Sequence, residues 1–334
     1  MSNVGDPKSI MIYAGWDLVG DGILKLPMIR ALRAAYPKAK ITWVAGKRES
    51  AFATILSPLV DGLLDEVIEH AGIGGSVADL LFNTPLKGRR FDLIIDTQKV
   101  ALASLSIWRI PHKHFISPFA KFRLSTVTPE PDYKWPRHIV RQLLDLADLA
   151  TGGTSSVPER IALPVSDAEH TLAGQLLLDG PTYVAMAPGA GGRPKCWPLD
   201  YFIELGQIQA KAGRIPVYLL GPQEEEWMMR IEKAIPRARF PLQEDRRHGF
   251  ASTFTVALGD RCKVAVVNDA GVGHMLASSK AGLISLFGPT KPEKFTPVTP
   301  KLTLLRAQNY GEGDAMEMIS VPVVKDAVEA MLKR

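Results

Sequence analysis

Short apolar runs recur along this chain, each leading through a small-residue loop into a stretch whose apolar positions repeat at helical spacing. Ile10-Met11-Ile12-Tyr13-Ala14 is the first, followed by the loop Gly15-Trp16-Asp17-Leu18-Val19-Gly20. Leu24, Met28, Leu32 and Ala35 then keep a helical period up to Tyr36-Pro37, where proline marks the end, and Ile41–Ala45 is strand-like again. The same alternation continues through Glu66–Ile68, Phe91–Asp96 and a short strand near Phe115, with a helix expected from about Trp135 to Ala150. Strands that read as continuous apolar runs rather than alternating ones belong to parallel sheets covered on both faces.

A cluster of small residues, Thr151 to Ser156, follows, and by Thr182 the pattern restarts. Strands are expected at Tyr183–Ala187, Ile215–Leu220, Lys263–Val267 and Gly282–Phe287, with helices at Pro198–Ala212, Glu224–Ala234, from Asp269 through His274 to Ser279, and at Val321–Leu332. The fold class is therefore α/β, two doubly wound Rossmann-like domains, with residues 1–165 as the first, 166–312 as the second and 313–334 as a closing helical segment that could pack back across the domain junction. A chain of 334 residues is long enough for two cores.

Composition narrows the setting. With 46% hydrophobic and 22% charged residues the chain reads as globular. The N-terminus lacks the basic-then-apolar order of an export signal and no run has bilayer length, so a cytoplasmic protein is expected. Two distant cysteines, Cys196 and Cys262, point to free thiols and no zinc site. A formal charge of +5 does not select nucleic acid, but it suits a phosphorylated substrate or an anionic membrane surface, with Lys113, Lys121 and Arg123 as candidate contacts.

Four segments carry candidate chemistry. Asn268-Asp269-Ala270-Gly271-Val272-Gly273-His274 leaves a buried strand for a helix, with Asp269 expected as N-cap, glycines that admit a phosphate to the backbone, and His274 as a further donor. Pro188-Gly189-Ala190-Gly191-Gly192-Arg193-Pro194-Lys195 is a glycine-rich loop ending in two cations, suited to a diphosphate whose charge grows as a bond to it breaks. Gly221-Pro222-Gln223-Glu224-Glu225-Glu226 offers a carboxylate to ribose hydroxyls, only one of the three glutamates being needed. Gly20-Asp21-Gly22 puts a carboxylate at the start of the first helix, and it is not a GxGxxG fingerprint. Read singly, each is also compatible with ordinary caps, loops and a buried histidine.

Their order is more specific. Val19-Gly20-Asp21 with Leu26-Pro27 and Arg30-Ala31-Leu32, Pro188-Gly189-Ala190 with Lys195-Cys196-Trp197-Pro198, Leu220-Gly221, Asn268-Asp269-Ala270-Gly271 with His274, and Leu286-Phe287-Gly288-Pro289-Thr290 together resemble family-9 glycosyltransferases, the lipopolysaccharide heptosyltransferases. The resemblance runs from about Ile10 to Pro297. It implies the GT-B architecture, two Rossmann-like domains facing a central cleft, and metal-independent transfer with inversion from a nucleotide-sugar donor, ADP-heptose, to a lipid-linked or core oligosaccharide at the inner membrane. No other cofactor is implied, and the chain has no Asp-x-Asp motif.

Carried over by resemblance, Asp21 is the base that deprotonates the acceptor hydroxyl and Lys195 stabilises the departing diphosphate. Ala190 and Gly191 border the phosphates, Glu225 holds the ribose, Asp269 orients the sugar, and Ala270, Gly271, Gly273 and His274 form the phosphate-side turn. This chain departs from the family at Ala270, where a threonine is usual, and at Gly15-Trp16-Asp17-Leu18, which puts an indole and an extra carboxylate on the acceptor side. A transferase with another nucleotide sugar or acceptor, a non-catalytic nucleotide-sugar binding module, and an epimerase or hydrolase using Asp17 or Glu293 as a second acid remain as alternatives.

Overall fold

The computed structural model describes residues 4–77, 80, 85–245 and 251–334. Residues 1–3, on which the N-terminal reading partly rests, lie outside the described residues. The chain divides into two compact units, Met1–Pro158 and Glu159–Arg334.

In the first unit five parallel strands, β1 (Ser9–Ala14), β2 (Lys40–Ala45), β3 (Glu66–Ile68), β4 (Phe91–Asp96) and β5 (His112–Ile116), lie in the order β3-β2-β1-β4-β5. β1 pairs with β2 from Ser9↔Lys40 to Ala14↔Ala45 and with β4 from Ile10↔Leu93 to Tyr13↔Asp96. Ile10 to Ala14 are all buried, which is why the run shows no alternation. The chain moves outward through β2 and β3 and returns to β4 on the other side of β1. The strand order thus reverses between β1 and β4, the place where open α/β sheets leave a crevice at their carboxyl ends.

The helix Val19–Ala35 runs unbroken past Pro27, which costs the Ile23 carbonyl its helical donor but leaves the apolar face buried. Its end is tied to the helix Ile139–Thr151, since the Tyr36 hydroxyl donates to the Ala150 carbonyl at 2.7 Å. That second helix starts at Ile139, not at Trp135 as the apolar spacing suggested. Pro136 disfavours a helical Trp135, and the His138 ring accepts from the Val140 amide as the cap.

The second unit repeats the architecture with β6 (Tyr183–Ala187), β7 (Ile215–Tyr218), β8 (Val264–Asn268), β9 (Gly282–Phe287) and β10 (Leu302–Arg306), ordered β10-β9-β8-β6-β7. Its switch point lies between β6 and β8. Met186, Val266 and Ile284 face one core layer, while Ala185, Val267 and Leu283 face the other. The helix Asp167–Leu176 opens this unit on a capping box of Ser166 and Glu169. The expected helix Glu224–Ala234 is split into a 3-10 turn, Glu225–Trp227, and an α-helix, Met228–Ala234. The closing helix Val321–Leu332 spends its apolar face inside this second unit, burying Val324, Val328 and Met331 in the same layer as Met186. Each such side chain contributes about 1.5–3 kcal/mol relative to exposure. Among the described residues no helix is long and apolar enough to cross a membrane.

Candidate active site

At the switch point of the second sheet the loops after β6 and β8 are fastened by one buried side chain. Asn268, the last residue of β8, accepts from the Trp197 amide through Oδ1 at 3.0 Å and donates from Nδ2 to the Pro188 carbonyl at 2.7 Å. Both ends of the glycine-rich loop are therefore held to one fully buried amide. Removing it strands a buried N–H and a buried C=O, each worth about 1–3 kcal/mol when unpaired. Asn268→Ala should destabilise the chain by roughly 2–4 kcal/mol in urea unfolding, because the loop loses both anchors. Unchanged stability would disprove this account of the loop.

The loop so fastened presents Lys195, whose Nζ lies 3.2 Å from Oδ2 of Asp269. The same oxygen accepts from the Thr290 hydroxyl at 2.7 Å. Asp269 is thus not the helix cap that its position suggested: the helix Gly271–Ala277 starts behind Ala270, which caps without a side-chain hydrogen bond. Two partners distant in sequence, Lys195 and Thr290, outcompete the local amides for its carboxylate. Thr290, in the loop after β9, is a site residue that the sequence motifs contained but to which no role had been attached.

Gly191 and Ala190 lie in the same loop, and a methyl group on Gly191 would meet no atom within 4 Å, so space stands open above it. Gly273 serves packing instead, since a Cβ there would come within 3.2 Å of Val267. His274 is buried in the helix behind Gly271, and its carbonyl accepts from the Ser278 hydroxyl. Of the three consecutive glutamates, Glu224 is the one laid against the loop: a methyl group on Gly189 or Gly221 would come within 2.6 Å of its carboxyl group. Burial raises the Glu224 pKa above its ordinary value. Glu225 begins the neighbouring 3-10 turn. Arg193 stands over the Trp227 ring at 5.7 Å.

In the first unit Asp21 lies in the first turn of the helix after β1, partly exposed, and no hydrogen bond or ion pair from a described residue engages its carboxylate. Asp17 is different. It is buried, paired with Lys25, and accepts from Trp43 Nε1 at 2.8 Å and Ser50 Oγ at 3.1 Å. That network takes it out of consideration as a second catalytic acid and makes it the clamp of the β1 loop. Glu293, the other such candidate, pairs with Arg306 at 2.9 Å. Lys113 pairs with Asp92 at 2.7 Å.

Asp96 closes β4 beside the same crevice, fully buried, accepting from Ser104 Oγ at 2.6 Å, Ser117 Oγ at 2.7 Å and the Gln98 amide at 2.8 Å. Burial outweighs these bonds and pushes its pKa from 3.8 up to about 6. Between these two values the folded chain holds more protons than the unfolded one, so stability falls as pH rises through the window. Asp96→Asn should flatten this dependence and be more stable above pH 7 by at most about 3 kcal/mol, from 1.36 kcal/mol per pH unit. Urea unfolding at pH 4.5 and 7.5 measures it; an unchanged slope would contradict the assignment.

Among the described residues no three His, Cys, Asp or Glu side chains converge as a metal-binding group. Two parallel-sheet units, each with its loops gathered at a strand-order reversal, define the GT-B class of fold. Residues 81–320 match the family model of glycosyltransferase family 9 (heptosyltransferase), and the chain belongs to that family. Lipopolysaccharide heptosyltransferase 2 of Escherichia coli K12 is 25% identical over 333 residues, covering 93% of this chain and 92% of that protein. A family-9 glycosyltransferase from Veillonella parvula superposes with a TM-score of 0.71 at 20% identity, covering 98% of both chains. An E. coli heptosyltransferase solved with ADP-2-deoxy-2-fluoro heptose superposes with a TM-score of 0.65 at 19% identity, covering 96% of this chain and 99% of that one.

Proposed function

We propose that this glycosyltransferase moves a heptose from ADP-heptose to a sugar hydroxyl of a lipopolysaccharide core acceptor, with inversion and without a metal ion. The observation that carries the reading is the Lys195–Asp269–Thr290 cluster over a glycine-rich loop at the second sheet's switch point, in a chain of family 9. The names and bound donor of the relatives support heptose and ADP as the particular substrates.

In this reading residues 1–158 take the acceptor and residues 159–334 take the donor. Asp21 accepts the proton of the acceptor hydroxyl as its oxygen attacks the anomeric carbon. The bond from that carbon to the diphosphate oxygen breaks, and ADP leaves with its new charge facing the Lys195 ammonium and the loop of Ala190 and Gly191. The ammonium supplies the neutralisation for which other transferases employ a metal ion. Asp269, held by Lys195 and Thr290, presents its remaining lone pairs to sugar hydroxyls. A ribose has Glu224 or Glu225 as acceptor, and Gly271 with His274 flanks the phosphates. Replacing the usual threonine by Ala270 removes one hydroxyl from that side. The net charge of +5 suits work at an anionic leaflet, and we place the reaction at the cytoplasmic face of the inner membrane.

Incubation with a panel of nucleotide sugars and core oligosaccharides, read by mass spectrometry, tests the assignment. Heptosylated acceptor formed from ADP-heptose in preference to other donors is expected. A clear preference for a non-heptose donor would reject the substrate, donor binding without transfer to any acceptor would favour the binding-module alternative, and product formed without acceptor would indicate a hydrolase or epimerase.

A further inference from the structure

The parallel pairing of β1 with β2 does not stop at the strand ends. The Gly46 amide donates to the Ala14 carbonyl at 3.0 Å, the Lys47 amide to Gly15 at 3.1 Å and the Ala51 amide to Asp17 at 3.3 Å. The two loops are zipped together past the sheet, and the buried Asp17 network fixes the far end. Trp16 is consequently held by its neighbours on both sides, yet its side chain is 46% exposed, an unusual place for an indole on a rigid loop. The same zipping sets Arg48 against it, with the guanidinium 4.9 Å from the ring centre.

Trp16 and Arg48 form a wall shared by two cavities. The smaller, about 330 Å³, is also lined by Tyr13, Lys47, Gln98 and Val100 and sits at the switch point of the first sheet. The larger, about 420 Å³, reaches Val19, two residues before Asp21. Among the described residues that line it, the smaller cavity has an aromatic and aliphatic surface, one side-chain amide, two cations and no carboxylate. Neither Lys47 nor Arg48 forms an ion pair with a described residue. A flat apolar face beside unpaired cations matches a sugar ring whose C–H face stacks on the indole while an anionic substituent takes a forked bond from the guanidinium.

We propose that this cavity is an acceptor subsite for a sugar bearing a carboxylate or a phosphate, with Trp16 and Arg48 setting the specificity; it rests on the reading of the Asp21 unit as the acceptor side. The full chain labelled with 5-fluorotryptophan tests it by ¹⁹F NMR, its six tryptophans giving separate signals and Trp16→Phe assigning that of Trp16. Titration with glucuronate or glucose 6-phosphate should move the Trp16 signal saturably, at least tenfold more tightly than glucose or inorganic phosphate. The tighter of the two sugar anions identifies the acceptor's anionic group. Arg48→Met should weaken that binding at least tenfold, and in the transfer assay it should raise the KM for an anionic core oligosaccharide more than it lowers kcat.

Glucose binding as tightly as the sugar anions, inorganic phosphate shifting the signal equally well, or full binding by Arg48→Met would each overturn the subsite. The binding titration uses no donor. Its failure with heptose transfer intact removes the subsite alone, whereas its success with another donor sugar transferred revises only the substrate.

Discussion

Asp21→Asn is expected to slow glycosyl transfer by about a hundred- to ten-thousandfold, the range that a positioned general base supplies. Asn keeps the shape of the side chain and its place in the first helical turn but accepts no proton at neutral pH. Because no described residue bonds to the Asp21 carboxylate, the substitution breaks no ion pair among the described residues. Its cost to folding is the loss of a negative charge near a helix N-terminus, about 0.3–1 kcal/mol. Steady-state kinetics, urea unfolding and ADP calorimetry together check the prediction. The rate should collapse while ADP affinity and stability stay near wild type, because the residues assigned to the donor belong to the other unit. Transfer within a few fold of wild type would remove Asp21 from the mechanism.

The second large effect is expected at Lys195. Lys195→Met keeps the length and apolar stem of the side chain while deleting the ammonium, and should lower kcat by about a hundred- to a thousandfold, as loss of one charge-stabilising donor does elsewhere. The diphosphate gains negative charge as the glycosidic bond breaks, so the ammonium interacts more strongly in the transition state than with bound donor. The fall in kcat should therefore exceed the fall in ADP affinity. Stability should change little: Lys195 is 37% exposed and screened, and Asp269 retains Thr290. Equal losses in kcat and ADP affinity would mean that Lys195 binds donor uniformly and does not act on the leaving group.

The reaction proposed for these two residues accounts for their place beyond strand carboxyl ends, Asp21 in the first turn of a helix and Lys195 in a loop, and for the clamps around them. Asp21 follows a loop clamped by Asp17, Lys25, Trp43 and Ser50. Lys195 lies within a loop clamped at both ends by Asn268. In both places a buried polar side chain fixes the backbone while the proposed reacting group stays accessible, which keeps the cost of positioning out of the reaction itself.

Much of the scaffold was readable from the chain alone. Strands covered on both faces, such as Ile10–Ala14 and Tyr183–Ala187, carry an uninterrupted apolar signature that no neighbour needs to supply. The strand Leu302–Arg306 is not legible in the pattern because it lies at the sheet edge, where only Leu305 is buried and the apolar signal is diluted. The start of the helix Ile139–Thr151 was set too early because apolar spacing carried the reading across Pro136, a local backbone constraint that outweighs it.

For the site, the sequence by itself determined the residue types and the loops: a carboxylate after β1, a glycine-rich cationic loop after β6, an Asn-Asp pair ending β8. Those are properties of neighbours along the chain. Only the tertiary structure decided what each polar group bonds to. Asp269 turns from a helix cap into the partner of Lys195 and Thr290, 74 and 21 positions away. Asp17 turns from a spare acid into a buried clamp, and Glu224 rather than the next glutamate lies against Gly189. A side chain's hydrogen bonds depend on which groups the fold brings within about 3 Å, and strand order and register, not sequence distance, set that proximity.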